Sequence, residues 1–381
     1  MPISVRRVAL ACSALSLLFL GVAVPLAPAG ATGAGSLTAR TTGTHRSASA
    51  ASVSTAAAGA GWIARDLSPN GALVDAESHL ANPGDTANAI LALVATGVGA
   101  NQVKDAVTWL GHNFASYVSQ KGVDNPGRLA LVMLAAIAAG ADPLHFGGTA
   151  KSNDLLARLE ATEQMTGSSA GGFGTGPNLN AFSDSLALLA LAAAKVNGKA
   201  IRLAETYLAG LQCPDGGWEY NRISASAACI APNPKNFTSP DTNTTAVAAM
   251  AIVAAGGRFS HSPVTFFQDS QESNGSFGVY GVSGDGQQGD PDSTAYVIQA
   301  LVALHALSDQ QFTRNGSTPE QALARFQYGC KAPVKERGEF SYFGVASQLA
   351  TLQAVPAAAG VALPVRPGKL SVAEPQLSCA A

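Results

Sequence analysis

The sequence has few charged and few aromatic residues, and it lacks the residue clusters that nucleic-acid and metal sites need. Charged residues make up 13% and aromatic residues 6% of the chain, and 23 Lys and Arg stand against 25 Asp and Glu. No basic run follows the first residues, so we expect no nucleic-acid partner. No Cys-x-x-Cys and no closely spaced histidine pair occurs, and we therefore expect no metal site.

The N-terminus carries an export pattern. A basic start precedes an apolar run from Val8 to Leu26, and small residues lead up to Ala31. This order is typical of a secretory signal peptide over residues 1–31 and predicts a secreted protein, with association with the cell wall as a variant of that location. A retained membrane anchor and lipidation at Cys12 are the alternatives.

The rest of the chain divides by composition. Residues 32–59 are Ala, Ser, Thr and Gly with almost no large apolar side chain, which predicts a disordered linker because such a segment buries too little surface to fold. Residues 60–355 form one predicted domain, and residues 356–381 form a Pro-rich C-terminal tail.

Four cysteines remain after the predicted signal peptide: Cys213, Cys229, Cys330 and Cys379. An even number of cysteines in an exported chain indicates disulfides, and four cysteines allow three pairings. We expect Cys213 with Cys229, which would close one long loop, and Cys330 with Cys379, which would hold the tail against the domain.

An Ala- and Leu-rich helical segment recurs six times. The segments run over residues 85–97, 128–140, 184–196, 244–256, 293–305 and about 345–355. Several are apolar on nearly every side and should be surrounded by protein, whereas the helices that precede them carry charges on one face. The pattern predicts an all-α fold, an (α/α)6 toroid of six helix pairs whose inner helices are parallel and start at one mouth.

The loops between paired helices carry a second signature, a glycine turn followed by an aromatic residue. Examples are Leu211–Trp218, Gln271–Phe277 and the segments that end at Phe173 and Phe340. These turns resemble Gln-x-x-x-Gly-(Gly/Ser)-(Trp/Phe), the mark of the squalene-cyclase and protein-prenyltransferase repeat family. The chain is also similar to the related barrel of the transcobalamin and intrinsic-factor carriers. The resemblance covers residues 60–355 and implies the toroid fold.

In the class II terpene cyclases of that family, an Asp-x-Asp-Asp-Thr segment at an inner-helix start supplies its middle Asp as a proton donor to an alkene. The fourth repeat has Asn243 at this position, and an amide is not a strong general acid. The fifth repeat has Asp290-Pro291-Asp292-Ser293-Thr294, so the resemblance implies Asp292, with Asp290, as the acid of a cyclase-like enzyme.

Capping is the competing interpretation of these residues, because Asp, Asn, Ser and Thr at a helix start bind free backbone N–H groups. We expect Asp85 and Asp184, at the start of other repeats, to be caps. The protein prenyltransferases of the family hold zinc through Asp-x-Cys, which is absent here, so prenyl transfer is not expected.

The longest loops, residues 213–243 and 272–292, should surround the mouth with aromatic and amide side chains, which suit a large neutral ligand. The predicted ligand-binding residues are Trp218, Tyr220, Asp241, Asn243, Tyr280, Gln287 and Gln288. The alternative for Trp218, Phe173, Phe277 and Phe340 is packing between helices.

These features favour a non-catalytic, transcobalamin-like capture protein for a cofactor-sized or lipid-like molecule. No cofactor is expected for certain, and cobalamin is one candidate ligand. The cobalamin carriers complete their site with a small β-domain, so a separate β-domain protein or an uptake transporter would be the partner. The alternatives are a terpenoid cyclase-like enzyme that uses Asp292, a polysaccharide-active enzyme and a structural wall module.

Overall fold

A computed structural model describes residues 46–233, 236, 238–283, 289–308, 310–375, 377 and 379, with side chains from Thr55 onward. This part of the chain contains thirteen α-helices and two short hairpins. The helices are α1 (Arg46–Asp66), α2 (Pro83–Thr96), α3 (Ala100–Asn113), α4 (Ala115–Val118), α5 (Pro126–Ala138), α6 (Leu155–Glu160), α7 (Ala181–Ala193), α8 (Lys199–Gly210), α9 (Thr242–Ala255), α10 (Pro263–Ser270), α11 (Pro291–Ala303), α12 (Pro319–Ala324) and α13 (Gln348–Ala358).

Two short hairpins connect helices along the chain. Strand β1 (Ser119–Gln120) pairs antiparallel with β2 (Val123–Asp124), and β3 (Phe340–Tyr342) pairs antiparallel with β4 (Val345–Ser347). The second hairpin leads directly into α13 and so carries the chain to the start of the last inner helix.

The predicted toroid is confirmed. Helices α2, α5, α7, α9, α11 and α13 each contact the next, and α13 contacts α2, which closes a ring of six inner helices. The helices α1, α3, α6, α8, α10 and α12 precede them in six outer–inner pairs. The inner helices are Ala- and Leu-rich because they are surrounded by protein on all sides.

The first five inner helices begin two or three residues earlier than the sequence pattern predicted, and the sixth begins about three residues later. The N-cap of each inner helix is an Asn, Asp or Ser whose side chain accepts a backbone N–H of the first turn; the caps are Asn82, Asn125, Asn180, Asp241, Asp290 and Ser347. The prediction that Asp85 and Asp184 are caps is therefore wrong. Three helices carry Pro immediately after the cap, where proline needs no N–H partner.

In four of the inner helices (α7, α9, α11 and α13) the fourth residue anchors a loop aromatic residue. The Thr245 hydroxyl accepts the backbone N–H of Trp218 at 2.9 Å, Thr294 accepts that of Phe277 at 3.0 Å, and Thr351 accepts that of Phe340 at 2.8 Å. In the third repeat the acceptor is a carboxylate: Asp184 Oδ1 accepts the Phe173 N–H at 2.7 Å.

A glutamine at the start of two of the glycine turns joins neighbouring repeats. Gln212 donates to the carbonyl oxygens of Gly216 and His261, and Gln271 donates to those of Gly275 and Phe312. Gly216 has φ 91°, and a Cβ there would lie 2.4 Å from the Ser262 carbonyl oxygen, so only glycine fits the turn. The glycine-turn signature, on which the family resemblance rests, therefore packs neighbouring repeats against each other.

The first outer helix lies partly in the segment predicted to be a linker. Residues 46–59 belong to α1, which packs against α12, α13 and α2. Its small residues allow close approach, since a Cβ at Gly59 would lie 2.4 Å from Cγ2 of Val355. The composition that suggested disorder therefore serves tight helix packing in this part, whereas residues 1–45, with the predicted signal peptide, lie outside the described residues.

Both predicted disulfides are confirmed. Cys213–Cys229 and Cys330–Cys379 link residues 16 and 49 positions apart. The second disulfide holds the tail, which also forms backbone hydrogen bonds from Ser371 to Gly97 and from Ala100 to Ser371. Among the described helices, none is long and apolar enough to cross a membrane.

Candidate active site

The first three turns of the inner helices enclose a space along the ring axis, which we call the lumen. Its lining comes from the second, sixth and ninth residues of each helix, which lie within about 60° of one another at 3.6 residues per turn. The second residues are Gly84, Gly127, Phe182, Asn243, Asp292 and Leu349; the sixth are Asn88, Leu131, Leu186, Val247, Tyr296 and Gln353; the ninth are Leu91, Leu134, Leu189, Met250, Gln299 and Pro356.

A ring contact between two inner helices that are not neighbours in the ring identifies this face as the inner one. Phe182 of α7 meets Tyr296 of α11 edge to face with ring centroids 6.0 Å apart, although α9 separates these two helices in the ring. Phe182, Asn243, Asp292 and Leu349 are partly exposed, whereas all six ninth residues are buried. The lumen therefore opens at the N-terminal ends of the inner helices and has a closed floor at the ninth residues.

Asp292 is the acidic group of the lumen. Burial raises its pKa well above the usual range, and the charge of Asp290 raises it further. Its Oδ1 has no hydrogen-bond partner among the described residues. The protonated form of this carboxyl group is therefore favoured more than that of a carboxyl group in water, and its Oδ1 is left without a structural role among the described residues.

Aromatic side chains surround this acid on one side. Tyr296 lies one turn below Asp292 on the same face of α11, and burial and the Asp292 charge raise the pKa of its hydroxyl. Phe182 lies against Tyr296 and also against Tyr220, with ring centroids 6.4 Å apart in the second pair. The three rings extend from α7 to α11 across the start of α9.

The lumen has two different walls. On α5 and α7 the sixth and ninth residues are leucines, and the second residue of α7 is Phe182. On α11 the same three positions hold Asp292, Tyr296 and Gln299. The lumen can bind a ligand whose apolar part packs against α5 and α7 while polar groups of α11 contact it from the other side.

A second acid lies at the rim of the mouth. Asp85, the third residue of α2, accepts a hydrogen bond from Gln348 of α13 at 3.1 Å. Burial raises the pKa of Asp85 to about 7, the charge of Asp75 acts in the same direction, and the Gln348 hydrogen bond opposes them. Arg128 stacks over the Tyr117 ring on the neighbouring part of the rim, 5.1 Å from its centroid.

The structure assigns capping to two of the predicted site residues. Asp290 Oδ1 accepts the Ser293 backbone N–H at 2.7 Å, and Asp241 Oδ1 accepts that of Thr244 at 2.8 Å. Burial raises the pKa of Asp290 to about 6 and that of Asp241 to about 7. Asn243 shares the second helical position with Asp292, as the repeat comparison predicted, and faces the lumen.

The aromatic residues that were predicted to contact a ligand lie in different environments. Trp218 is fully buried and donates its indole N–H to the Leu208 carbonyl oxygen at 2.8 Å, so it packs between helices. Tyr220 is half-buried beside Phe182, and the Tyr280 backbone bridges to that of Asp241. The predicted contacts Gln287 and Gln288 lie outside the described residues.

Other groups near the surface do not form a comparable site. Cys213, Glu219 and Cys229 lie together, but both sulfurs belong to a disulfide and cannot act as thiolate ligands. A hollow of about 250 Å³ beside His112 and a second of about 380 Å³ beside Pro364 lie away from the mouth.

Sequence reasoning missed the lower half of the lumen, namely Tyr296, Gln299 and Gln353. Aligning the inner helices column by column would have shown Gln299 as the polar residue among apolar ones at the ninth position. The family motif covers only the helix starts, so it gives no signal for residues further along each helix.

Comparison with known proteins gives the fold. No protein family matches the chain, and no curated protein matches it in sequence. Type II terpene cyclase MstE from Scytonema is 12% identical with a TM-score of 0.52, over 82% of this chain and 98% of that one. An α-amylase from Clostridium perfringens is 12% identical with a TM-score of 0.55, over 80% and 97%.

A third similar structure is the ent-copalyl diphosphate synthase from Streptomyces platensis, 18% identical with a TM-score of 0.44. The match covers 73% of this chain and 49% of the synthase, so the chain spans about half its length. At these identities the comparisons establish the α/α toroid and leave the activity open. Capture of a corrinoid gains no support from them.

Proposed function

We propose that the protein is an acid-catalysed enzyme that acts on an isoprenoid, in the manner of a class II terpenoid cyclase, with Asp292 as the proton donor. The observation that carries the proposal is the state of Asp292, a carboxyl group on the inner face of α11 whose pKa is raised by burial and whose Oδ1 has no hydrogen-bond partner among the described residues. A carboxyl group whose pKa is raised by burial, and which lies on the inner face of the ring, suits proton delivery.

The reaction begins when the Asp292 proton adds to one carbon of a double bond. A C–H bond forms, the neighbouring carbon becomes a cation, and Asp292 is left as a carboxylate. The faces of the Tyr296 and Phe182 rings lie close by and can stabilise the positive charge by cation–π attraction. The cation ends by losing a different proton or by taking up water, and solvent at the mouth returns the proton to Asp292.

The apolar wall supports an isoprenoid as the substrate. Leu131, Leu186 and Phe182 line it at the two upper levels of the lumen, and leucines line it at the floor. A hydrocarbon chain lying there loses contact with water without leaving polar groups unpaired. We further propose an extracellular location, since two disulfides fit an oxidising compartment.

The test is incubation of the protein with squalene or geranylgeraniol in D2O, followed by mass spectrometry of the products. Protonation of a carbon by Asp292 places one deuteron on carbon in each product molecule, and Asp292→Asn should abolish this product. Asp184→Asn is the matched control, because it removes a buried acid that does not face the lumen. Unlabelled product, or equal activity of Asp292→Asn, would overturn the proposal.

A polysaccharide hydrolase is the second candidate, and one observation favours it. None of the described groups donates a hydrogen bond to Oδ1 of Asp292, so the carboxylate left after proton transfer has little support there. An ether oxygen is a stronger base than an alkene carbon and demands less of the acid. Release of reducing sugar from glycans, lost in Asp292→Asn, would favour this candidate over the cyclase.

A further inference from the structure

The floor of the lumen contains polar oxygen atoms that nothing in the described structure uses. Gln299 is 3% exposed, and its Oε1 has no hydrogen-bond partner among the described residues. Gln353, on the neighbouring helix α13, has an unpartnered Oε1 as well. Both residues lie on the inner face, at the ninth position of α11 and the sixth of α13.

Buried amides without partners are rare because each loses its hydrogen bonds to water on folding. The other ninth residues show that the fold does not require an amide here, since they are Leu91, Leu134, Leu189, Met250 and Pro356. A polar residue at this level therefore lowers the stability of the folded protein unless a ligand completes its hydrogen bonds.

We propose that the substrate carries a hydroxyl group that enters the lumen first and donates a hydrogen bond to Gln299, with Gln353 as the neighbouring acceptor. This inference deepens the proposed function and rests on it. Asp292 and Gln299 are seven residues apart on one helix, a rise of roughly 10 Å at 1.5 Å per residue. The substrate class is thus an isoprenoid alcohol whose reacting double bond lies about that far from its hydroxyl group.

The experiment compares farnesol with β-farnesene, which has a closely similar carbon skeleton and no hydroxyl group. Binding is measured as the rise in the thermal midpoint of Asp292→Asn, a variant in which turnover does not interfere. We expect farnesol to bind at least tenfold more tightly than β-farnesene, because only the alcohol completes the hydrogen bonds of Gln299. Adding Gln299→Leu should remove this preference and leave the binding of β-farnesene unchanged or stronger.

Two controls isolate the hydrogen bond. Met250→Leu changes the size of a floor residue without changing its polarity and should keep the preference for the alcohol. Gln299→Met gives the residue that α9 already has at this level and serves if Gln299→Leu fails to fold. Without ligand, both Gln299 variants should melt at a higher temperature than the parent.

The outcomes separate the inference from the proposed function. Equal binding of both probes to the parent, or a preference that survives in Gln299→Leu, overturns the hydroxyl site and shows that the amide binds only water; the acid chemistry of Asp292 is then untouched. Binding of neither probe, together with no deuterium-labelled product, overturns both.

Discussion

Helices α7 and α11 line the lumen on either side of α9, and they differ at the same four positions. Along α7 the second, fourth, sixth and ninth residues are Phe182, Asp184, Leu186 and Leu189, and along α11 they are Asp292, Thr294, Tyr296 and Gln299. Each helix carries one acid in its first turn. On α7 the acid lies on the outward side and accepts a backbone N–H of the loop, whereas on α11 it lies on the inner face and its Oδ1 has no partner among the described residues.

A shift of two positions along a helix decides whether a buried acid binds a loop N–H or faces the lumen. Burial raises the pKa of both acids, to about 8 for Asp184 and well above the usual range for Asp292, so the pKa does not distinguish them. Geometry does, because the fourth residue faces the loop aromatics and the second faces the lumen. The acid available for chemistry is the one without a structural hydrogen bond.

The largest expected effect comes from removing the inward acid. Asp292→Asn should lower product formation by about 100-fold or more, because a general acid contributes factors of this size. The thermal midpoint should stay the same or rise, since a buried unpartnered acid is lost. Steady-state rates with the substrate identified by the deuterium experiment provide the measurement, and Asp184→Asn should keep most of the activity.

The next effect tests the outward fourth position on α11. Thr294→Val leaves the buried Phe277 N–H without its acceptor and should lower the free energy of unfolding by about 1–3 kcal/mol. Thr294→Ser keeps the hydroxyl and should cost less. Chemical denaturation gives both values, and an equal loss in the two variants would mean that the methyl group, and not the hydroxyl, supports the loop.

The pH dependence of stability is the third effect. In the folded state burial raises the pKa of Asp85 and Asp241 to about 7 and that of Asp184 to about 8, so between about pH 4 and pH 8 the folded state binds more protons than the unfolded state. The free energy of unfolding should therefore be highest near pH 4 to 5 and fall as the pH rises through these values. Thermal unfolding across this range provides the measurement.

Asp184→Thr sharpens the pH experiment, because it gives α7 the residue that α11 already has. The threonine hydroxyl can still accept the Phe173 N–H, and the titrating carboxyl is gone. The variant should lose less stability than the parent between about pH 6 and pH 8, whereas an unchanged pH profile would show that Asp184 does not contribute.

The smallest effect concerns the contact between the two helices. Phe182→Leu keeps the α7 wall apolar but removes the edge-to-face contact with Tyr296, worth about 0.5–1.5 kcal/mol beyond buried area. Thermal unfolding should show a modest loss, with Leu186→Met as a control of similar size on the same wall. A loss of stability as large as that of Thr294→Val would mean that Phe182 stabilises more of the mouth than its contact with Tyr296.

The inner helices could be predicted from the sequence because their Ala- and Leu-rich runs repeat, and three of these runs end in glycine. Their starts could not be placed as well, because the Ala- and Leu-rich pattern begins only after the first turn, whereas three of the helices begin at Pro83, Pro126 and Pro291. Helix α1 was missed because a helix that packs through Ala and Gly has the composition of a linker. Both disulfide pairings could be predicted because Cys213–Cys229 closes one long loop and Cys330–Cys379 holds the C-terminal tail against the domain.

The candidate site was only half predictable. Asp292 and Asn243 could be assigned to one helical position from the repeat, because both follow a capping Asp by two residues. The roles of Trp218 and Asp241 depend on which face they present, and this is decided by contacts between repeats. Gln299 carries no motif at all, and its meaning arises only from the five apolar residues at its level.

The contact between α13 and α2 gives the molecule a property that an open array of repeats does not have. An open array has end repeats that can fray, and its stability grows roughly one unit at a time. Here the last inner helix rests on the first, the tail is bonded to the loop that follows α2, and a disulfide fastens that tail to the sixth pair. No pair is terminal, so loss of any one exposes two neighbours at once, and the ring should unfold as a single cooperative unit.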